Sequence, residues 1–439
     1  MGPPRGLVRL RFGHGKRAVS WAMLGQVSAL VASTANFLLL ARILGPAEYG
    51  LVAGTWALVL ASAPIAAVGA DRLIVRDVSG GHVPPNHALG TALVTMTFGW
   101  FVVVGGLAVL QPIILPQTLL SLLLLLAIAD VVATGTTTLV NALCFATANA
   151  KAGGISAALV NLAKLAAVLL FALTGGGQDP VRWAAIYAGL AVVSATGQLL
   201  WAARRYGRPS VHGYHLVTRV REGLPFTGSV VAGVVQNDAD KTLLVRAGLA
   251  EPAGHYSVAY RMASIAYLPV LAVLQTTFYR FFAAGAEGGL PATAALGRRL
   301  AKPLLAYGVL ASVGLVVCAP LVPVLVGEQY RPSVPLLMLL APLVLVKVVQ
   351  SLTGDVLTGA GFQHVRTRCV AIAAGVNVAT NLVLIPVLGL YGAIIATAVA
   401  EVLQATLLLW AVRSRLRRGT APAEDGADVA PASSIDEPE

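Results

Sequence analysis

Long apolar stretches follow one another along almost the whole chain, broken by short polar connections. A helix that crosses a bilayer needs about 20 predominantly apolar residues. Twelve segments meet that length, roughly at 18–44, 50–70, 88–110, 117–147, 154–174, 182–203, 224–247, 254–279, 301–326, 333–359, 366–386 and 391–413. The first is longer than the apolar core of a cleavable signal, about 7 to 15 residues, so it reads as a retained span. The pattern predicts an all-α polytopic membrane protein of about twelve transmembrane helices, with no room for a separate soluble domain.

Charge refines this picture. The chain is 57% hydrophobic and only 11% charged, where soluble domains carry about 25% charged residues. Basic residues concentrate in alternate connections. Arg5, Arg9, Arg11, Lys16 and Arg17 precede the first span. Arg72 and Arg76, then Lys151, then Arg204, Arg205, Arg208, Arg219 and Arg221 follow on the same side. So do Arg280, Arg298, Arg299 and Lys302, then Arg366 and Arg368, and finally Arg413, Arg415, Arg417 and Arg418. The opposite connections hold only Arg331 and the borderline Arg182. Basic loops stay on the cytoplasmic side, so both termini are expected there, in a bacterial inner membrane. The formal charge of +12 therefore reads as topology and attraction to anionic lipid headgroups, and not as nucleic-acid binding. The stretch APAEDGADVAPASSIDEPE at the C-terminus, acidic and without a base, reads as a disordered cytoplasmic tail. Cys144, Cys318 and Cys369 are scattered and suggest neither a metal clip nor a disulfide framework.

The two halves echo one another. LLARILGPAEYGLVAGTWA, joining the first two spans, parallels LLVRAGLAEPAGHYSVAYRMA, joining the seventh and eighth. Arg42 then corresponds to Arg246, and a two-residue insertion aligns Pro46 with Pro252 and Val52 with Val258. Two repeats of six spans have the same orientation, and transporters built from such repeats place the substrate near mid-depth between them. The expected organisation is a basic cytoplasmic N-terminus (1–17), an N-lobe (18–203), a basic linker (204–223), a C-lobe (224–413) and the acidic tail (414–439). The lobes should form two pseudo-symmetric six-helix bundles around a central cavity.

Ionisable groups at membrane depth are expensive and mark function. The deep bases are Arg42, Lys164, Lys241, Arg246, Arg261 and Lys347, and the deep acids are Asp130, Asp238, Asp240, Asp355 and Glu401. Asp238 and Lys241, three apart, share a helix face and can neutralise each other, whereas Asp240 could pair with Arg261 or Arg246. If the acids lie elsewhere, bases from both lobes make an electropositive chamber suited to a phosphate-bearing guest, Arg through its planar fork and Lys as a point charge. Asp130, Asp238, Asp240 and Glu401 are candidates for coupling to H+ or Na+, with Asp71, Arg72 and Arg76 for gating.

Several motifs resemble the polysaccharide-exporter branch of the multidrug/oligosaccharidyl-lipid/polysaccharide superfamily, the flippases of polyprenyl-linked sugars. They are ARILGPAEYG at 41–50, GADRLIVRDVS at 69–79, GLPF followed by NDADKTLLVRAGLAEPAGHYSVAYRM at 237–262, and NVATNLVLIPVLGLYGAIIATAVAE at 377–401. The resemblance implies a V-shaped pair of lobes, alternating access, a cationic cavity, and a polyprenyl-linked glycan as cargo, with no metal, catalytic residue or cofactor beyond a coupling ion. It also implies service to glycosyltransferases or a polymerase of the same pathway. A monomer suffices, because one chain supplies both lobes. Two alternatives remain open. A small-molecule antiporter of the sister branch could share the fold and the acids. A membrane glycosyltransferase or polymerase would need outer loops to carry an acid or base, and the outer connections, such as Gln111–Gln117 and Gly327–Ser333, are short.

Overall fold

The computed structural model describes residues 15–147, 149–211 and 216–418. The first fourteen residues, linker residues 212–215 and the acidic tail from 419 onward lie outside the described residues. Everything regular within them is helical: α1 Gly15–Ala67, α2 Ala70–Ser79, α3 Pro85–Ile114, α4 Leu120–Ala127, α5 Gly135–Ala146, α6 Ala150–Leu173 and α7 Pro180–Tyr206 form the first half. The second half comprises α8 Leu216–Arg246, α9 Ala250–Cys318, α10 Val322–Val326, α11 Ser333–Leu340, α12 Leu343–Gly359, α13 Gln363–Leu388 and α14 Leu390–Arg418. A π-helical turn, Ile128–Thr134, joins α4 to α5.

Nine described stretches are long and apolar enough to cross a membrane. Two of them, Leu30–Ser79 and Ala250–Val326, run for 50 and 77 residues, more than twice the span of a bilayer. Each turns back on itself. In α1 the break is Gly45, at φ 76°, ψ 171°, followed by Pro46, whose fixed φ suits the first position of a new helix. In α9 it is Gly288–Gly289, with Gly289 at φ 57°. Such φ values cost an L-residue with a side chain far more than they cost glycine. α8 has the length of a crossing, but its charges exclude it from the apolar set.

Each half has its own core. In the first, Trp183 and Tyr187 stack at 5.6 Å, and Trp56 packs on both, within a cluster reaching from Leu40 to Ala191. In the second, Tyr256, Phe281, Val348 and Leu408 belong to one cluster, to which the first half adds Phe37, Ala41 and Leu115. Outward faces carry bare apolar side chains, among them Phe101, Val109, Leu173 and Val387. A surface of this kind calls for hydrocarbon around it. The protein is thus a multi-pass membrane protein.

The halves meet through α1, which packs against α8 and α9. At the end away from the basic loops, a Cβ on Gly50 would fall 1.8 Å from the Ala250 carbonyl oxygen, and one on Gly254 would fall 1.9 Å from that of Pro46. Gly50 and Gly254, Pro46 and Ala250, and Arg42 and Arg246 are all separated by the same distance along the chain. Residue i of one repeat therefore touches residue j of the other and the reverse, as at a two-fold axis. This corrects the repeat alignment: the register runs on from Arg42 and Arg246 without the two-residue insertion, so Pro46 is equivalent to Ala250 and not to Pro252. At the basic end the bend between α1 and α2, with Val68 at φ 46° and Gly69 at φ 65°, meets α8 so closely that a Cβ on Gly223 would fall 1.7 Å from the Val68 oxygen.

Candidate functional site

Between these two closures lies a cavity of about 790 Å³, walled by α1, α6, α8, α9 and α12. Lys164, Lys241, Arg261 and Lys347 line it, with Asp238. Aromatic rings fill much of the remaining wall: Phe37, Tyr49, Trp56, Tyr260 and Tyr267, alongside the polar Ser33, Asn36 and Asn237. The four bases thus come from both halves, Lys164 from the first and Lys241, Arg261 and Lys347 from the second.

Their neighbours differ from the expectation. Each lysine is backed by carboxylate: Lys164 Nζ lies 3.4 Å from Asp130, Lys241 Nζ 2.8 Å from Asp238 and 3.5 Å from Asp240, and Lys347 Nζ 2.7 Å from Glu401. Four cations therefore face four carboxylates, and the chamber is not the uncompensated positive space that its bases alone implied. Asp130, Asp240 and Glu401 sit behind the lysines and Asp238 beside Lys241 on the wall, because a desolvated ammonium without a counter-charge costs several kcal/mol. Rings supply further compensation. Lys164 lies 4.8 Å from the Trp56 centroid, while Tyr260 is flanked by Lys241 at 4.3 Å and Lys347 at 5.6 Å, distances at which a cation is attracted by a ring face. Arg261 makes no ion pair among the described residues, and its guanidinium donates to Ser33 Oγ at 2.6 Å.

Asn237 organises the second half of the wall. Its Oδ1 accepts from the Tyr260 hydroxyl and from Lys347 Nζ, both at 2.9 Å, and its backbone oxygen accepts from Lys241 Nζ at 2.9 Å. Asp240 pairs with neither Arg261 nor Arg246. It is fully buried, where it accepts from the Lys241 amide, the Tyr256 hydroxyl and the Thr397 hydroxyl. The predicted Asp238–Lys241 pair is present, one helical turn apart. Arg42 and Arg246 are exposed outside the cavity near the end capped by Gly50 and Gly254. Helices there leave the apolar zone, so a long basic side chain reaches out to water. Asp355 pairs with Arg366 at 3.1 Å, away from the cavity lining.

A second cavity of about 260 Å³ lies towards the basic end. Asp71, Arg72, Thr134, Thr138 and Asp130 line it, and Leu60 and Val230 line both cavities and so form the partition between them. Asp71 and Arg72 pair at 3.5 Å. Arg76 lies beyond, on Asp77 at 2.8 Å and Glu222 at 2.7 Å, while Arg219 holds Asp77 at 2.5 Å. These contacts join α2 to α8 and tie the two halves together at that end. Glu222 and Asp77 were not singled out in the sequence, where they look like ordinary loop charges. The rings of Trp56, Tyr187 and Tyr260 were also missed, although Tyr256 and Tyr260, four apart beside Arg261, carry a visible helical spacing.

A family model described as "Polysaccharide biosynthesis protein" matches residues 16–283, well over half of the chain. The chain belongs to this polysaccharide biosynthesis protein family. No curated protein matches the sequence. Solved structures share the fold of the family member. The lipid II flippase MurJ in its inward closed conformation superposes with a TM-score of 0.71 at 11% identity, over 89% of this chain and 87% of that one. An inward-facing multidrug resistance MATE family transporter of the MOP superfamily gives 0.63 at 14% identity, over 91% and 94%. A further MOP superfamily transporter, from Pyrococcus furiosus, whose description notes a binding pocket of reverse polarity, gives 0.52 at 15% identity, over 91% and 94%. The architecture is therefore that of MOP superfamily membrane transporters.

Proposed function

We propose that the protein is a flippase that moves a polyprenyl-(pyro)phosphate-linked oligosaccharide from the cytoplasmic to the outer leaflet by alternating access. The observation that carries this reading is the large cavity between the halves, where basic side chains alternate with aromatic faces. A sugar-phosphate headgroup cannot cross hydrocarbon unaided, because its polar groups would lose their water without replacement. Here Arg261 offers an unpaired guanidinium, the lysines offer their remaining N–H donors, and Trp56, Tyr49 and Tyr260 with Asn36 and Ser33 offer the mixed apolar and polar lining that pockets use to orient ligands. At about 790 Å³ the space falls in the upper part of the 300 to 1,000 Å³ range of such pockets. The prenyl chain would stay in the bilayer while the headgroup crosses. Basic loops put the end bearing Arg76 on the cytoplasmic side, and the transport unit is one chain.

The equal number of cations and carboxylates around the cavity favours a second reading, a small-molecule antiporter. Proteoliposomes separate the two. A fluorescent, short-chain polyprenyl-diphosphate glycan is placed in the lipid and its exposure read with an impermeant quencher; uptake of a cationic dye is followed in parallel. The flippase reading expects glycan movement and no dye uptake. It also expects Arg261→Ala to slow glycan movement about tenfold, equivalent to about 1.4 kcal/mol, at unchanged expression and melting temperature. Dye uptake without glycan movement, or an Arg261→Ala rate equal to wild type, would sink it.

A further inference from the structure

α8 and α13 pack together, and beside their contact runs a groove of about 750 Å³ that Ile65 of α1 also borders. Small residues line it, among them Gly228 and Ala232 of α8 and Ala374 and Gly375 of α13. Ile65, Leu224 and Leu382 are exposed and open it to the lipid. Of the described residues that line it, only Thr227 is polar. The α8 lining runs from Leu224, towards the basic end, to Val235, a rise of about 16 Å along the helix. A Cβ on Gly228 or on Gly375 would meet nothing within 4 Å. Glycine within a helix is destabilising relative to alanine, and here its effect is to keep the groove free of side chains. The groove also adjoins the cavities described above. Thr227 lines both the groove and the smaller cavity, which in turn shares Leu60 and Val230 with the large one. Thr227, Gly228 and Val231 thus face the groove from the same turns of α8 that present Val230, Gly233 and Val234 to the large cavity.

We propose that the groove between α8 and α13 holds the part of the prenyl chain nearest the headgroup while the headgroup occupies the large cavity. The diphosphate linker then passes Thr227 through the smaller cavity. The inference rests on the flippase reading above and adds to it a place for the tail. At about 260 Å³ the smaller cavity lies below the range of pockets that enclose a drug-sized ligand. A linear linker needs only its own width, so the bulky ends of the cargo sit on either side of this passage.

The tether between head and tail decides the occupant. Lipid tails are as apolar as the groove wall, so no hydrophobic force draws a free chain out of the bilayer. What the groove offers is packing, which is weak for each pair of atoms. A headgroup bound in the adjoining cavity changes the balance, because the attached chain then arrives at a high effective concentration. A phospholipid whose head does not enter the cavity has no such advantage. A prenyl chain also carries a methyl branch in every repeat unit and is thicker than a straight acyl chain, which suits a slot that Gly228 and Gly375 leave open.

The test uses full-length protein in proteoliposomes and a fluorescent glycan on undecaprenyl diphosphate, its exposure read with an impermeant quencher. Gly228→Phe and Gly375→Phe each put a ring into the groove without meeting backbone. Each should slow glycan movement about tenfold, less than the roughly 100- to 10,000-fold that two linked sites gain at their best, at unchanged melting temperature. Gly105→Phe, on an exposed face of α3 with equally open space, should move the glycan at the wild-type rate. A second probe carries a benzophenone on the prenyl chain next to the diphosphate. On illumination it should attach to wild type within residues 224–235 and 374–382, the stretches of α8 and α13 that line the groove. Unlabelled glycan lipid should compete for this labelling and phosphatidylglycerol should not. Wild-type rates in both phenylalanine variants, label spread over the whole lipid-facing surface, equal competition by phosphatidylglycerol, or label that joins two copies of the chain would each overturn the proposal. Should a phenylalanine variant lose melting temperature, the position of the label on wild type decides. Wild type that moves no glycan, whatever its labelling, would instead overturn the flippase reading itself.

Discussion

Gly223→Val should reduce glycan translocation about 100-fold and leave the basic end of the molecule unable to close. A Cβ at this position would stand 1.7 Å from the Val68 carbonyl oxygen and 2.7 Å from its carbon, so the obstruction is backbone, which cannot rotate aside. Arg76–Glu222 and Arg219–Asp77 hold the same two segments together, and Val68 already occupies the left-handed region at φ 46°, a conformation costly for a β-branched residue. Overpacking of this kind costs about 1–3 kcal/mol, and a bias near the top of that range shifts a two-state equilibrium about 100-fold. In the proposed alternating-access cycle both ends must close in turn, so losing one closed state stops the cycle. Gly254→Val should impose the opposite bias, because its Cβ would meet Pro46 at the other end. Single cysteines labelled by an impermeant maleimide report the two ends, Thr227→Cys on the basic side and Glu48→Cys on the far side. The expected labelling patterns are opposite. Gly105→Val, where a side chain meets nothing within 4 Å, should leave transport unchanged. Wild-type labelling and transport in both gate variants would show that neither glycine contact is a gate.

Glu401→Ala should cost about 3–5 kcal/mol of stability, the usual effect of stripping one partner from a buried ion pair. Glu401 is 1% exposed, its Oε1 lies 2.7 Å from Lys347 Nζ, and its Oε2 accepts from Gln350 Nε2 at 2.6 Å. Removing the carboxylate leaves the Lys347 ammonium with Asn237 and the Tyr260 ring alone. The double variant Lys347→Met, Glu401→Leu should recover most of the loss, because two apolar residues of similar size avoid the desolvation that an unpaired charge suffers. Denaturant titration in detergent of Lys347→Met, of Glu401→Leu and of the double variant, each against wild type, gives the three values for a double-mutant cycle. Additive losses in the double variant would mean that the two groups do not act as a pair. The cycle also bears on transport, since Lys347→Met removes one cavity cation without unbalancing its carboxylate when Glu401 goes with it.

Much of the site was legible as positions and little of it as partnerships. Lys164, Lys241 and Lys347 were identifiable because a charge in an apolar span is conspicuous whatever surrounds it. Asp238 with Lys241 was identifiable as a pair because helical spacing alone brings them together. The pairing of Lys164 with Asp130 across α6 and the π turn, and of Lys347 with Glu401 across α12 and α14, joins residues far apart in the chain, and no local spacing announces them. Arg42 and Arg246 marked the repeat correctly but not the cavity: a base one turn from a helix end reaches water more cheaply than it reaches a protein interior.

The order of apolar and polar residues was enough to determine a helical membrane protein of two related halves, because those properties follow from transfer of each segment into lipid and need no knowledge of neighbours. Which carboxylate neutralises which base, which aromatic ring faces the cavity, and where two glycines let backbones touch were decided only when the helices packed. Those outcomes depend on side-chain separations of a few ångströms between distant segments, and one-dimensional pattern carries no measure of that distance.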